Sequence, residues 1–239
     1  MKIALVNPRM EGPYPPLGLG YIASYLRKFG SYGYEVRIFD GNTADGLEGK
    51  ITGFSPDLVG FTGHSPQIRE AVRLSRELRA WRSDVLQVIG GVHVSADAEN
   101  TLKKGSFDFA VLGEGEKAFL DLVDAVAGGW DKDTLKSLKG LAYCDGEEVV
   151  INPRMPQITE LDTIPPPARD LFDMDHYLAP SFGVRGLVKR AVTSITSSRG
   201  CPYECTFCGV GIVFKKVRHF STDYTVAEGQ AHVARSAEG

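Results

Sequence analysis

Long hydrophobic runs, a surplus of one charge and a spread of cysteines are all missing from this sequence, and each absence removes a class of protein. The N-terminal MKIALVNPRM carries one Lys and then a short apolar stretch, which cannot serve as a signal h-region or a membrane span. The chain therefore reads as cytoplasmic and without membrane contact. Lys and Arg number 27 against 30 Asp and Glu, for a formal net charge of -3. No positive field exists to gather nucleic acid or an anionic membrane, and a small-molecule or protein partner is expected instead. Only four cysteines are present, three of them within eight residues. A secreted disulfide framework would spread them evenly, whereas intracellular clusters more often hold metals.

What is present is globular: 239 residues, 43% hydrophobic and 24% charged, enough for one large domain or one domain and part of another. Short apolar runs at 3–6, 36–39, 58–61, 86–89 and 109–112 suit buried strands. Between them lie helically spaced sets: Leu17, Ile22, Leu26 and Phe29; Ile68, Val72, Leu78 and Trp81; Phe119, Val123 and Val126. Strands alternating with helices predict an α/β fold, a doubly wound, flavodoxin-like (Rossmann-like) parallel sheet over residues 1–130 with strand order 2-1-3-4-5. Its ligand edge is then the row of loops 8–16, 63–66, 90–95 and 113–116, rich in Gly, Ser and Pro where backbone comes near a ligand.

Residues 131–180 change character. A hairpin is expected from 141–144 and 148–151 around Asp145-Gly146. Pro156, Pro165, Pro166, Pro167 and Pro180 then favour an extended linker. A second unit, 181–239, opens on a β-branched strand at 191–196, runs into the cysteines and ends in a helical tail from 222 to 238.

One competing signal needs weighing. Gly18, Gly20 and Ala23 fit G-x-G-x-x-A, and Asp40 follows about twenty residues later, as a dinucleotide site wants. That fingerprint puts its first glycine directly after strand one, however, and here residues 8–17 intervene. Close helix-to-sheet packing or backbone approach to a ligand explains these glycines better. Glu114 and Glu116 read as first-turn charges favoured by a helix dipole.

Cys201, Cys205 and Cys208 form C-x3-C-x2-C, a spacing that lets three thiolates on one loop reach three irons of a cubane cluster and leaves one iron open. The alternative is a structural zinc knot, which needs a fourth ligand from Cys144, His219 or His176. It would make the chain a noncatalytic corrinoid- or nucleotide-binding module with a zinc-stapled tail.

With Arg199-Gly200-Cys201-Pro202 before the second cysteine and Phe207 before the third, the run resembles the radical S-adenosylmethionine (SAM) superfamily. The resemblance implies a 4Fe-4S cluster on the three cysteines, SAM on the open iron with Phe207 along its adenine, and a reducing partner such as flavodoxin or ferredoxin. Further stretches, 15–23 (PPLGLGYIA), 56–62 (PDLVGFT), 89–95 (IGGVHVS) and 111–116 (VLGEGE), resemble the cobalamin-binding class of that superfamily. They imply a corrinoid laid against Pro16, Gly18, Gly20, Thr62, Gly63, His64, Ser65, Gly90, Gly91, His93, Gly113, Glu114 and Gly115. The loop after the first strand, NPRMEGPYPPLG, lacks the D-x-H-x-x-G motif, so the resemblance implies no axial histidine from that motif. Radical methyl transfer, rearrangement or cyclisation on an unidentified small molecule is the implied reaction. Only about one βα unit of the partial TIM barrel that holds a radical SAM site falls within the chain, so the N-terminal portion of a longer protein is expected.

Overall fold

The computed structural model describes residues 1–178 except 11 and 13, and residues 193–237 except 215, with side chains described no further than 231. The N-terminal part is β1 (Lys2–Asn7), α1 (Leu17–Phe29), β2 (Glu35–Asp40), α2 (Leu47–Phe54), β3 (Leu58–Thr62), α3 (Ile68–Trp81), β4 (Leu86–Gly90), α4 (Val92–Ala96), α5 (Ala98–Lys104), β5 (Phe109–Val111) and α6 (Gly115–Gly128). After α7 (Lys132–Ser137) come β6 (Leu141–Asp145) and β7 (Glu148–Ile151). The sheet runs β2-β1-β3-β4-β5-β6-β7, with β1 to β5 parallel. The expected doubly wound order is thus present, and the hairpin extends it: β6 pairs antiparallel with β5 and β7 with β6, around Gly146 at φ 67°.

Side chains alternate across a strand, so one strand feeds two apolar layers. Ile3 and Leu5 join α1 and α6 through Leu26 and Leu122 on one face. Ala4 and Val6 join Ile51 of α2 and Leu74 and Leu78 of α3 on the other. All nine are at most 2% exposed. Burial on both faces explains why the strands read as continuous apolar runs.

The proline-rich stretch is not a free tether. Two single 3₁₀ turns, Leu161–Thr163 and Arg169–Leu171, and α8 (Met174–Leu178) fold it back on α1. Ala168 N–H donates to the Gly20 carbonyl at 3.0 Å, and Ser24 Oγ to the Pro165 carbonyl at 3.3 Å. A Cβ on Gly20 would stand 2.9 Å from the Phe172 ring and 3.0 Å from Pro167. Proline removes regular structure here without removing packing, because Leu161, Ile164, Ala168, Phe172 and Tyr177 are all buried.

The second unit departs from expectation. Residues 191 and 192 of the expected strand lie outside the described residues, and 193–197 carry no strand. A two-residue antiparallel ladder forms instead between β8 (Ser198–Arg199) and β9 (Arg218–His219). Thr193 to Ser197 meet no neighbouring strand among the described residues, whereas Ser198 and Arg199 find one in the returning chain. Between the two strands lies α9 (Val210–Val213), and α10 (Thr222–Ala237) is the expected tail helix.

Candidate cofactor cleft

A cavity of about 370 Å³ sits over the C-terminal ends of β1, β3, β4 and β5. Its floor is Leu5, Gly60, Phe61, Thr62, Val88, Gly90 and Val111; α1 contributes Leu17 to Leu19, Tyr21 and Ile22; the loop into α6 contributes Gly113 to Glu116. Thr196, Ser198, Arg199, Gly200, Val213 and Phe214 close it from the second unit. The cavity therefore lies between the sheet and the segment that carries the cysteines.

Of the positions the sequence singles out, Gly18, Thr62, Gly90, Gly91, Gly113, Glu114 and Gly115 line this space. Gly113 is at φ 86°, and neither it nor Gly18 has any atom within 4 Å of where a Cβ would stand, so both present bare backbone to open space. A Cβ on Gly91, at φ 110°, would come within 2.6 Å of the Gly63 carbonyl oxygen. The β3 and β4 loops meet there backbone to backbone, and only glycine permits it.

Pro16, Gly20, Gly63, His64, Ser65 and His93 do not line the cavity. Pro16 starts α1, its carbonyl accepting from Leu19 N–H at 2.9 Å. Gly20 faces Phe172 and Pro167, as above. His64 caps the Ser65–Gln67 turn, with Nδ1 3.0 Å from Gln67 Oε1, and His93 Nδ1 lies 2.9 Å from Ser65 Oγ. Both histidines brace loops. Behind them Gln67 Nε2 donates to Asn7 Oδ1 at 2.8 Å, and Asn7 Nδ2 donates to Asp40 Oδ1 at 2.9 Å. Tyr177 Oη donates to the other Asp40 oxygen. Asp40 is thus committed to a buried network, and the dinucleotide fingerprint has neither its tight turn nor a free acidic end.

The charged part of the lining was not foreseen as a unit. Glu114, the N-cap residue of α6, receives Arg199 Nη1 at 3.0 Å and Arg218 Nη1 and Nη2 at 2.8 and 2.9 Å. Glu116, in the first helical turn, receives Arg199 Nη2 at 2.5 Å. All four side chains are 5–9% exposed. The Arg199 guanidinium also lies 5.0 Å from the Tyr21 ring centroid, within cation–π range. Burial pushes the Glu114 carboxyl up, but hydrogen bonds from Arg218 and Arg199 outweigh it and hold the group below its ordinary value. Burial opposes the Arg199 charge, and Glu116 and Glu114 more than restore it, so its pKa is raised. The first-turn reading of the two glutamates holds; their partners, 83 to 104 residues away, left no signal in one sequence.

Cys201 is half-buried, while Cys205 and Cys208 are exposed. Cys208 N–H donates to the Cys205 carbonyl at 3.0 Å, forming a turn. Phe207 is 91% exposed and stands away from the cavity lining. Among the described residues no three or more His, Cys, Asp or Glu side chains are placed to hold one metal ion. Thiolates that bind separate irons of a cubane need not meet at one point. Of the alternative ligands, Cys144 lies in β6, His219 on β9, and His176 packs its ring on Tyr177 at 5.1 Å.

An apolar cavity edged by bare glycine backbone, set on the strand ends of a doubly wound sheet, is where such α/β folds bind small ligands and cofactors. The described lining contains no histidine. The B12 binding domain family matches residues 4–123, and the chain belongs to that family. An uncharacterized methyltransferase, PH0819, of Pyrococcus horikoshii is 34% identical over 95% of this chain and 50% of its own length. The anaerobic magnesium-protoporphyrin IX monomethyl ester cyclase of Cereibacter sphaeroides is 29% identical over 87% of this chain and 34% of its own. Among solved structures, the radical SAM methyltransferase TsrM of Kitasatospora setae, with cobalamin and a [4Fe-4S] cluster bound, superposes with a TM-score of 0.72. It is 21% identical and covers 98% of this chain and 46% of its own. The resemblance to cobalamin-binding radical SAM proteins is borne out, and the chain spans half or less of the length of these relatives. No described helix is long and apolar enough to cross a membrane.

Proposed function

We propose that this chain is the cofactor-bearing portion of a cobalamin-dependent radical SAM enzyme that performs methyl transfer or cyclisation on a small molecule. The observation that carries this reading is the shared wall: Arg199 and Gly200 close the cavity and run directly into Cys201. A corrinoid in the cavity and a cluster on Cys201, Cys205 and Cys208 would then face one another. Bound there, the cluster supplies the electron that cleaves SAM, and the corrinoid supplies a methyl carrier.

The chain's own residues do the rest. Gly18 and Gly113 would let backbone approach the ring, while Leu17, Ile22, Val88, Val111 and Phe214 would keep water from its faces. Phe207, exposed beside the third cysteine, is free to stack on the SAM adenine. A flavodoxin- or ferredoxin-like donor reaches the cluster through the open side of the loop, where Cys205 and Cys208 are exposed.

Anaerobic reconstitution of the chain with iron and sulfide tests the cluster. A four-iron signal lost in the Cys201→Ala, Cys205→Ala, Cys208→Ala variant is expected. One zinc without acid-labile sulfide would instead support a noncatalytic binding module. Titration with aquacobalamin is expected to saturate at one per chain, and no binding would remove the corrinoid from the reading.

A further inference from the structure

The four-membered ion cluster at the cavity wall is more than the fold alone asks for. Burying four charges carries a desolvation penalty that apolar side chains of similar size would avoid, and the best-attested use of such groups is to fix register between elements. The register here joins two units. Glu114 caps α6 and Glu116 lies in its first turn, directly after β5; Arg199 and Arg218 are one of the two pairs of the β8–β9 ladder.

That ladder is only two residues long on each strand, and beside the ion cluster it is placed by Phe220, the next residue, stacked on Tyr21. A stiff joint follows it directly. Gly200 is at φ 100°, and a Cβ there would stand 2.4 Å from the Lys216 carbonyl oxygen, so the direction set at Arg199 is handed on to Cys201. On the other side, Glu114 and Glu116 alternate along the start of α6 with Gly113 and Gly115, which edge the cavity. Arg218 also donates to the Ile158 carbonyl at 2.5 Å, which ties in the stretch after the hairpin.

We propose that Glu114, Glu116, Arg199 and Arg218 act as a positioning clamp. It sets where the cysteine loop stands over the cavity and couples loading of the loop to filling of the cavity. The proposal rests on the functional reading above, since it needs a cluster on the loop and a corrinoid in the cavity. Arg199 is the pivot, because it holds both glutamates and precedes the first thiolate by two residues. Filling the cavity presses on the loop between β5 and α6, and the clamp carries that displacement to the cysteines. Ligation of the cysteines acts back on the cavity with the same factor, as linkage requires.

The test compares the full chain with Glu116→Gln, Arg199→Lys and the charge-conserving Glu116→Asp. Aquacobalamin affinity is measured before and after anaerobic reconstitution with iron and sulfide, and amide exchange is followed at 197–200 and 218–220. In the wild type, reconstitution is expected to change the aquacobalamin Kd by about tenfold. In Glu116→Gln and Arg199→Lys the ratio of the aquacobalamin Kd before and after reconstitution falls toward one, whatever the change in either Kd alone, with the four-iron spectrum recorded to verify loading. Glu116→Asp regains part of the coupling, which a merely structural residue would not produce. Exchange at 197–200 and 218–220 rises severalfold in the first two variants while β1 and β3 stay protected. An unchanged coupling factor, or unchanged exchange at the ladder, overturns the clamp. If the wild type loads neither cofactor, the functional reading fails, and the exchange arm still decides whether the four residues hold the ladder.

Discussion

The sheet unit and the cysteine-bearing unit are held by different physics. In the first, apolar area does the work: β1, β3, β4 and β5 are buried on both faces, and Leu74, Leu78, Ile51 and Ile89 have no exposure at all. In the second, many of the described contacts to the rest of the molecule are polar or aromatic. They include the Glu114–Arg199–Glu116 and Glu114–Arg218 pairs, the buried Arg169–Glu228 pair at 2.5 Å, and Phe220 stacked between Tyr21 and Tyr224 at 6.1 and 4.5 Å. Ile195 and Val226 remain 39% and 50% exposed in that unit. Apolar packing is tolerant of direction, whereas charge pairs specify it. The unit that carries the cysteines is the one that relies more on directional contacts.

The sharpest way to break the contrast is Arg169→Ala. Arg169 and Glu228 are 5% and 3% exposed, and the lost guanidinium leaves a buried carboxylate unpaired at a cost of about 3–5 kcal/mol. Amide exchange should show α10 and 193–197 opening while the sheet remains protected. The double change Arg169→Met, Glu228→Leu should recover most of the loss, and failure to recover would mean that the pair supplies more than mutual neutralisation. Leu74→Ala tests the other side. It removes a fully buried side chain from the α3 face and should lower urea stability of the sheet by about 2–5 kcal/mol, without selective loss at the ladder.

The smallest effect is the response to acid. Glu114 has its folded value held below the ordinary 4.5 by burial opposed and outweighed by Arg218 and Arg199, with Glu116 beside it on the same guanidinium. Its contribution is complete above the unfolded carboxylate value and is lost as pH falls through the lower folded value. The ladder amides should therefore lose protection below about pH 4.5, ahead of β1 and β3. Simultaneous loss in both units would erase the distinction between them.

Much of the sheet could be read in advance because its signals are local. A four-residue apolar run buried on both faces looks the same in sequence and in space, and alternation with 3.6-period helices leaves few topologies open. The glycines edging the cavity were legible for the same reason: each marks a backbone requirement at its own position. The clamp was not, since its partners lie 83 to 104 residues apart and each residue alone looks like an ordinary surface charge. Gly20 illustrates the limit. Its pattern suited a nucleotide loop or close packing, and only the folded chain shows Phe172 and Pro167 against it. The proline-rich stretch misled in one respect, because proline forbids ladders but does not forbid burial. The cysteine spacing was readable as a family resemblance, while the exposure of Phe207 and the two-residue ladder behind the loop depended on contacts that no local pattern encodes.

The meeting of Gly91 with Gly63 has a consequence for how this cavity can change. Where two main chains touch, no side chain intervenes, so evolution or engineering has no group there to exchange for another. That part of the rim is fixed by main chain alone. Any retuning of what the cavity accepts must come from the opposite wall, where Leu17, Ile22 and Phe119 project, and from the closing segment at Val213 and Phe214.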